Sequence, residues 1–514
     1  MTDGSYLIGT DIGTLGTKTV LVDTSGKILS STFEEYDVLT PKPLWAEQWP
    51  DVWFDAVCKT IRSTIEQSHV APKEIAGVCI SGLYGGSGIP CDKDLKPVRP
   101  CLIWMDRRAG DEVEWVRKNI DEKKLFKVTG NTVDPYYGFT KMLWIRFKEP
   151  KVWKKLHQFL TPNAYCIYKL TGELSIDYSS AGNYGGIFDI HKRRWSDTML
   201  EEIGIPRDYL PERILASKDI VGEVNEEGAK LTGLNIGTPV CAGGIDAPVS
   251  ALSVGALRDG DLASMLGTSM CNGFIQDTLR LSPKLVNYPH VAFDIKKVYS
   301  FAGITTAGAC VRYFRDQLGK TEVSIAKEKN VSAYKILDEE AEKIPIGSEQ
   351  LIFLPHMMVG ERAPWWDPFV RSCLIGLTLH HTTAHLFRAF LEGISYAFRY
   401  SIETALETGI PLRRTILVDG GAKSKLWRTI LTDVTGLPMI YIAGAPGAPL
   451  GDALLAGVGT GILESYAVID EWLEVTETTS PNKKNKQLYD KYYRVFKKVY
   501  EANEEIFKAL HKIT

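Results

Sequence analysis

At 514 residues the chain exceeds what one hydrophobic core supports, since single cores stop growing at roughly 250–300 residues, and two large domains are expected. Apolar residues at 44%, charged residues at 24% and a net charge of −3 exclude the basic footprint of a nucleic-acid binder. No apolar run of about 18 residues offers a membrane span, and the start Met1-Thr2-Asp3-Gly4 has no basic-then-apolar leader. Nine scattered cysteines without a C-x-x-C pair point to buried thiols in a reducing, cytoplasmic setting.

In chain order, a strand at residues 6–10 turns through Asp11-Ile12-Gly13-Thr14-Leu15-Gly16 and resumes at 18–23. A Ser25-Gly26 turn and a third strand complete an antiparallel meander. Pro50 opens a helix in which Trp53, Val57, Ile61 and Ile65 recur every four residues, and a buried strand follows at 75–80. Strands first and alternating helices and strands afterwards predict an α/β domain with a mixed sheet. A second meander begins near Asp261, runs into Gly267-Thr268-Ser269, and is followed by a helix through Val311-Arg312-Tyr313-Phe314. Each half thus opens with a hairpin tipped by Gly-Thr, and the boundary is expected near residues 246–260. Leu488, Tyr492, Val495, Val499, Ile506 and Leu510 predict an amphipathic helix that covers a domain.

Three glycine turns and one aspartate carry the chemical signal. Glycines at 13 and 267 let backbone N–H groups approach a phosphate, and a carboxylate such as Asp11 at the preceding strand end can hold Mg²⁺ through water. Glycine also supplies turn geometry whatever the function. Val418-Asp419-Gly420-Gly421-Ala422-Lys423-Ser424 offers a strand-to-helix turn open enough for a flat adenosine, or an ordinary connection. Asp246, after Gly243-Gly244-Ile245, can accept a proton from a hydroxyl; it can equally cap a helix that continues through Pro248. His381 and His385 stand four apart without an adjoining Glu or Cys, so no zinc motif is formed. Serine-hydrolase elbows and P-loops are absent.

Ser372-Cys373-Leu374-Ile375-Gly376-Leu377, then His385-Leu386 and Ala389-Phe390-Leu391-Glu392, resemble the second signature segment of the FGGY carbohydrate kinases. The resemblance extends over residues 7–461. It implies two ribonuclease-H-like domains of the actin/hexokinase superfamily around an interdomain cleft, with residues 1–247 mainly binding sugar and 248–514 mainly binding nucleotide. It also implies ATP-dependent phosphorylation with Mg²⁺ at Asp11 and Asp246 as general base. ATP contacts are expected from Gly13, Thr14, Lys18, Gly267, Thr268, Gly308, Arg312, Gly420, Gly421, Ala422 and Lys425. Substrate contacts are expected from Tyr84, Gly85, Asp106, Tyr136 and Asp246. Lys18 stands where glycerol kinases carry Arg, which replaces a fork by a point charge.

The sugar motifs depart from the familiar ones. Ser81-Gly82-Leu83-Tyr84-Gly85-Gly86 lacks both the Gln-Met-His-Gly of xylulose kinases and the Gln-Arg-Glu-Thr of glycerol kinases, and Ala247 replaces their Asn or Gln. Asp134-Pro135-Tyr136-Tyr137 is similar to a glycerol kinase element, whereas Trp104-Met105-Asp106-Arg107-Arg108 is similar to a pentulose kinase element. A ketopentose such as xylulose is the expected substrate, with glycerol, a tetritol or another ketose as the alternative. A catalytically silent sugar-binding regulator is the rival class, and a homodimer stays open.

Overall fold

The computed structural model describes residues 5–292 and 297–513. The lead-in Met1-Thr2-Asp3-Gly4 lies outside the described residues. The chain divides into two compact units: Met1–Arg258 with Ile275–Ser300 and Pro446–Leu473, and Asp259–Phe274 with Phe301–Ala445 and Glu474–Thr514.

The first unit opens with the expected meander, in which Tyr6–Ile12, Gly16–Asp23 and Ile28–Glu35 pair antiparallel. Ile75–Gly82 joins the far side of Tyr6–Ile12 in parallel. Pro239–Cys241 and Gly244–Ile245 then pair with Ile75–Gly82, also in parallel, and Ile220–Glu223 closes that edge antiparallel. Alternating side chains of this mixed sheet serve two separate cores. Ile8, Ile12 and Leu21 pack with Trp53, Val57, Ile61 and Ile65 of helix Pro50–Ser68. Leu7, Val20 and Val22 pack with Val249, Leu252 and Leu454 on the opposite face.

In the second unit, Asp261–Leu266 and Met270–Gln276 form a hairpin with Gly267 and Thr268 at its tip. Arg414–Val418 pairs in parallel with Asp261–Leu266, Met439–Tyr441 follows in parallel, and Glu477–Thr479 adds antiparallel. The C-terminal helix Lys483–Ile513 is amphipathic as expected, but its buried stripe is Tyr489, Tyr493, Phe496, Val499 and Phe507. Leu488, Val495, Ile506 and Leu510 stay exposed. Aromatic rings bury more apolar area than leucine or valine, so the face that carries them wins the core. Among the described residues no helix is long and apolar enough to cross a membrane.

Close approach at Gly9 sets the spacing of the first unit. Helix Ala448–Gly459 lies so near the strand that a Cβ at Gly9 would sit 1.8 Å from the Pro449 carbonyl oxygen and 2.6 Å from Ala453 N. Both obstacles are backbone and cannot rotate away. Gly9→Ala is therefore expected to destabilise the protein by about 1–3 kcal/mol or more, read as a lowered denaturant midpoint at unchanged slope.

Candidate functional site

Parallel pairing brings the chemistry of the first unit to one sheet edge. Asp11 lies opposite Ser81, and Ser81 lies opposite Gly244 on its other side. The chain then leaves the sheet through Ile245 into a short helix whose first residue is Asp246. Ile245, not Asp246, holds the N-cap position. The half-buried Asp246 carboxylate accepts its own following amide, Ala247 N, at 2.7 Å. Gly243 makes this exit feasible: its φ is +67°, and a Cβ there would lie 1.9 Å from the Ile80 carbonyl oxygen.

The Gly13-Thr14 tip is braced from three directions. Tyr36 Oη donates to Gly13 O at 2.7 Å, Gln48 Nε2 donates to Thr14 O at 2.9 Å, and the Trp104 indole donates to Thr14 Oγ1 at 3.0 Å. Lys18 faces Asp11 across the hairpin and donates to Pro446 O at 3.3 Å. These braces fix the tip in one geometry, closed by the Gly13 amide donating to Gly16 O at 3.0 Å.

A carboxylate that the sequence reading passed over lies beneath Asp11. Asp452 is fully buried, accepts the Ser81 hydroxyl at 2.6 Å and lies 3.4 Å from Cys79 Sγ. Ser81 Oγ is also 3.3 Å from Asp11 Oδ1. Burial pushes the Asp452 carboxyl well above its ordinary range, with the Asp11 charge adding to the rise. A lone acid in the otherwise apolar helix Ala448–Gly459 was the available signal.

The residues expected at the sugar are divided in use. Tyr84 and Tyr136 pack with ring centres 5.0 Å apart, and Asn183 Nδ2 donates to Tyr136 Oη at 3.3 Å. Buried Lys141 donates to Tyr136 O at 2.8 Å, and desolvation pulls its ammonium down to about 7. Gly85 abuts Pro162, whose Cδ would be 2.5 Å from an added Cβ. Asp106 is fully buried, accepts Ala46 N at 2.7 Å and the Arg108 guanidinium at 2.7 Å, and so holds the chain together.

In the second unit a cavity of about 860 Å³ is lined by Gly267, Thr268, Gly308, Arg312, Gly420, Gly421 and Lys425, seven of the expected ATP contacts. Ala422 is buried below the turn, where its carbonyl accepts Arg428 Nη1 at 2.6 Å. Gly13, Thr14 and Lys18 belong to the first unit. The cavity's further wall is helix Ala333–Glu342, with Tyr334, Asp338 and Glu342 facing in, and this wall was not foreseen. Burial lifts the Asp338 carboxyl to about 6. The glycine turns support one another: Gly308 N donates to Gly267 O at 2.9 Å, and Ala307 N and Ala309 N both donate to Thr268 O at 3.0 Å. Buried Glu361 anchors the start of that loop by accepting Thr305 N at 3.1 Å and Thr305 Oγ1 at 2.9 Å.

Burial also dominates at Asp11, where it lifts the carboxyl from 3.8 to about 6 against the lowering effects of Ser81 and Lys18. The folded state then binds this proton more tightly than the unfolded chain, so the contribution is present below pH 4 and is lost as pH rises through about 6. Asp11→Asn is expected to be more stable than the parent at pH 7 by about 1–2 kcal/mol, after allowance for partial exposure. Denaturant unfolding at pH 4, where the gain should vanish, and at pH 7 checks this.

The model of the FGGY family of carbohydrate kinases matches in two parts, the N-terminal domain over residues 6–253 and the C-terminal domain over 262–460. The chain is 30% identical over 512 residues to a xylulose kinase of Lactococcus lactis, covering 98% of each. It is 28% identical over 508 residues to a gluconokinase of Bacillus licheniformis, again covering 98% of each. A crystal structure of xylulose kinase from Rhodospirillum rubrum superposes with a TM-score of 0.89 at 27% identity, over 98% of this chain and 100% of that one. The chain belongs to the FGGY family of carbohydrate kinases and is a sugar kinase with that family's two-domain, actin/hexokinase-like α/β fold.

Proposed function

We propose that the protein transfers the terminal phosphate of ATP to a hydroxyl of a ketopentose such as xylulose, in a reducing cytoplasmic setting. The observation that carries the reading is the second unit's cavity, ringed at one end by the Gly267-Thr268, Gly308 and Gly420-Gly421 turns. Open glycine turns at strand ends suit a polyphosphate, and the apolar wall of Phe387 and Leu391 suits a flat base. Residues of the second unit thus hold nucleotide, and Tyr84, Tyr136 and Asp246 of the first hold sugar. Nine cysteines, none of them in a disulfide, accord with the compartment.

Phosphoryl transfer asks a protein chiefly to position groups and offset charge. In this reading Asp246 accepts the proton of the attacking hydroxyl, and the Thr14 amide of the braced tip donates to a phosphate oxygen, the Gly13 amide being held by Gly16 O at 3.0 Å. Thr268, exposed at its hairpin tip, donates from the nucleotide side. The Asp11 carboxylate, with Lys18 opposite, fits a water-held Mg²⁺, which would supply neutralisation of phosphate charge. Gluconate is the second reading, because a gluconokinase matches the chain about as closely as the xylulose kinases do.

Coupled ADP release over xylulose, other pentuloses, gluconate, glycerol and tetritols tests the reading, with xylulose expected to lead. Leu83, Gly85 and Ala247 carry no polar side chain, so its margin should stay below the roughly 10⁴–10⁵ of a site built around one hydroxyl. No ADP release with any pentulose would overturn the substrate assignment. Asp246→Asn should lower kcat by about 10²–10⁴ while nucleotide affinity, measured by titration calorimetry, is kept. Near-parental kcat in that variant would remove Asp246 from the base role.

A further inference from the structure

Far from the glycine turns in sequence, the second unit brings together three imidazoles and a carboxylate. Strand Ile352–Leu354 pairs antiparallel with Cys373–Ile375, so the residues before the first strand and after the second meet at one end. There His380 Nε2 lies 2.7 Å from Glu349 Oε2, and His385 Nε2 lies 3.7 Å from the same oxygen. The donor atoms of Glu349, His380 and His385 all fall within 4.8 Å of one another. His381, one of the pair singled out by the i, i+4 spacing, is used otherwise: its Nε2 faces Glu349 O at 3.1 Å and its Nδ1 accepts Thr378 N at 2.9 Å. The missing third ligand comes from 31 residues upstream of His380, outside any local motif.

The carboxylate is held there against backbone preference. Gly347, Ser348, Glu349 and Gln350 are successively left-handed, with φ of +81°, +47°, +52° and +78°. Consecutive left-handed L residues are rare because each crowds its Cβ against the carbonyl oxygen, and they persist only where the surroundings over-determine them. Here the surroundings do so. Buried Glu392 accepts Gly347 N at 3.0 Å and Ser348 Oγ at 2.9 Å, and His381 secures the Glu349 carbonyl.

We propose that Glu349, His380 and His385 form a binding site for one transition-metal dication of the zinc class. Two imidazoles and a carboxylate suit such ions, whereas Mg²⁺ prefers an all-oxygen shell, so the site is chemically distinct from the magnesium requirement of phosphoryl transfer. A tetrahedral ion at about 2.0–2.2 Å from each donor spaces its ligands by roughly 3.3 Å, and the observed separations bracket that value. The His385 Nδ1 lies 2.9 Å from Thr382 Oγ1 and 3.2 Å from Thr382 N. With Nε2 on the metal, Nδ1 carries the proton and donates to the hydroxyl, the usual outer-shell arrangement of a ligating histidine, while the longer contact to the amide is given up. Solvent on the exposed side completes the coordination, since His380 is 72% exposed.

The test uses the full chain, freed of metal and titrated with Co²⁺ and then Zn²⁺. One equivalent of Co²⁺ should bind with a tetrahedral absorption spectrum and be displaced by one equivalent of Zn²⁺. His380→Ala and Glu349→Gln should each weaken Zn²⁺ binding by more than about 100-fold, beyond the loss typical of an outer-shell change. Both side chains are solvent-exposed, so these variants keep the fold. His191→Ala, at an exposed histidine elsewhere, should bind as the parent does. Absence of stoichiometric binding, or parental affinity in both His380→Ala and Glu349→Gln, would overturn the site.

Discussion

The first unit's chemistry depends on one run of parallel backbone hydrogen bonds. Ile75–Gly82 pairs with Tyr6–Ile12 on one side and Gly244–Ile245 on the other, which sets Asp11, Ser81 and Gly244 on one rung. Because side chains alternate across a strand, a slip by one residue would send Asp11 to the opposite face and leave Asp246 emerging beside a different residue. Gly9 and Gly243 protect the register from above and from the edge, since neither position tolerates a Cβ without moving backbone. The constraint is therefore steric as much as hydrogen-bonded, and it is spread over residues that touch no ligand themselves.

The second unit solves the same problem by stacking turns. Gly267-Thr268 accepts three amides from the loop at 307–309, and Glu361 accepts from Thr305 just before it. His356 Nδ1 adds a contact at 3.2 Å to Glu361, and Thr306 Oγ1 donates to Pro355 O at 2.6 Å. The long signature segment at 351–392 thus serves the cavity twice, lining it with Phe387 and Leu391 and bracing its loops from behind. Its Glu361 steadies the loop that begins at Thr305, and its Glu392 holds the left-handed turn at 347–350. A buried carboxylate that accepts backbone amides is costly to desolvate and loses its worth if any partner shifts, so such anchors favour one loop geometry over all others.

Much of this was legible in the sequence where local chemistry decides it. The meander, the Pro50 helix and both Gly-Thr tips follow from period-two and period-four patterning with turn residues between them, and the structure has all of them. The C-terminal helix was legible as amphipathic, but the choice between its leucine-valine face and its tyrosine-phenylalanine face was settled by tertiary packing. Asp452 and Glu361 escaped because their partners, Ser81 and Thr305, are 371 and 56 residues away. Glu349 escaped for the same reason: a ligand set assembled by strand pairing has no spacing to recognise.

The sugar side shows why motif comparison loses its grip on substrate. Asp106 is bound by Arg108 and Ala46 N, Asp134 by Arg107 through bonds of 2.6 and 3.2 Å, and Lys141 by the Tyr136 carbonyl. These charged residues, which give the segment its family likeness, are largely spent on one another. Their likeness therefore reports a shared loop geometry and not a shared list of hydroxyl contacts. In the proposed reading, what remains to meet a substrate is Tyr84, tilted at 44° against Tyr136, and Asp246. A tyrosine pair offers flat apolar surface with polar tips, a surface that reads shape more than individual hydroxyls. Discrimination built on shape alone is worth about 1–3 kcal/mol per methylene-sized difference, far less than a dedicated hydrogen bond gives. A xylulose kinase and a gluconokinase match this chain about equally well. Overall identity therefore follows the shared frame and carries little information on the sugar.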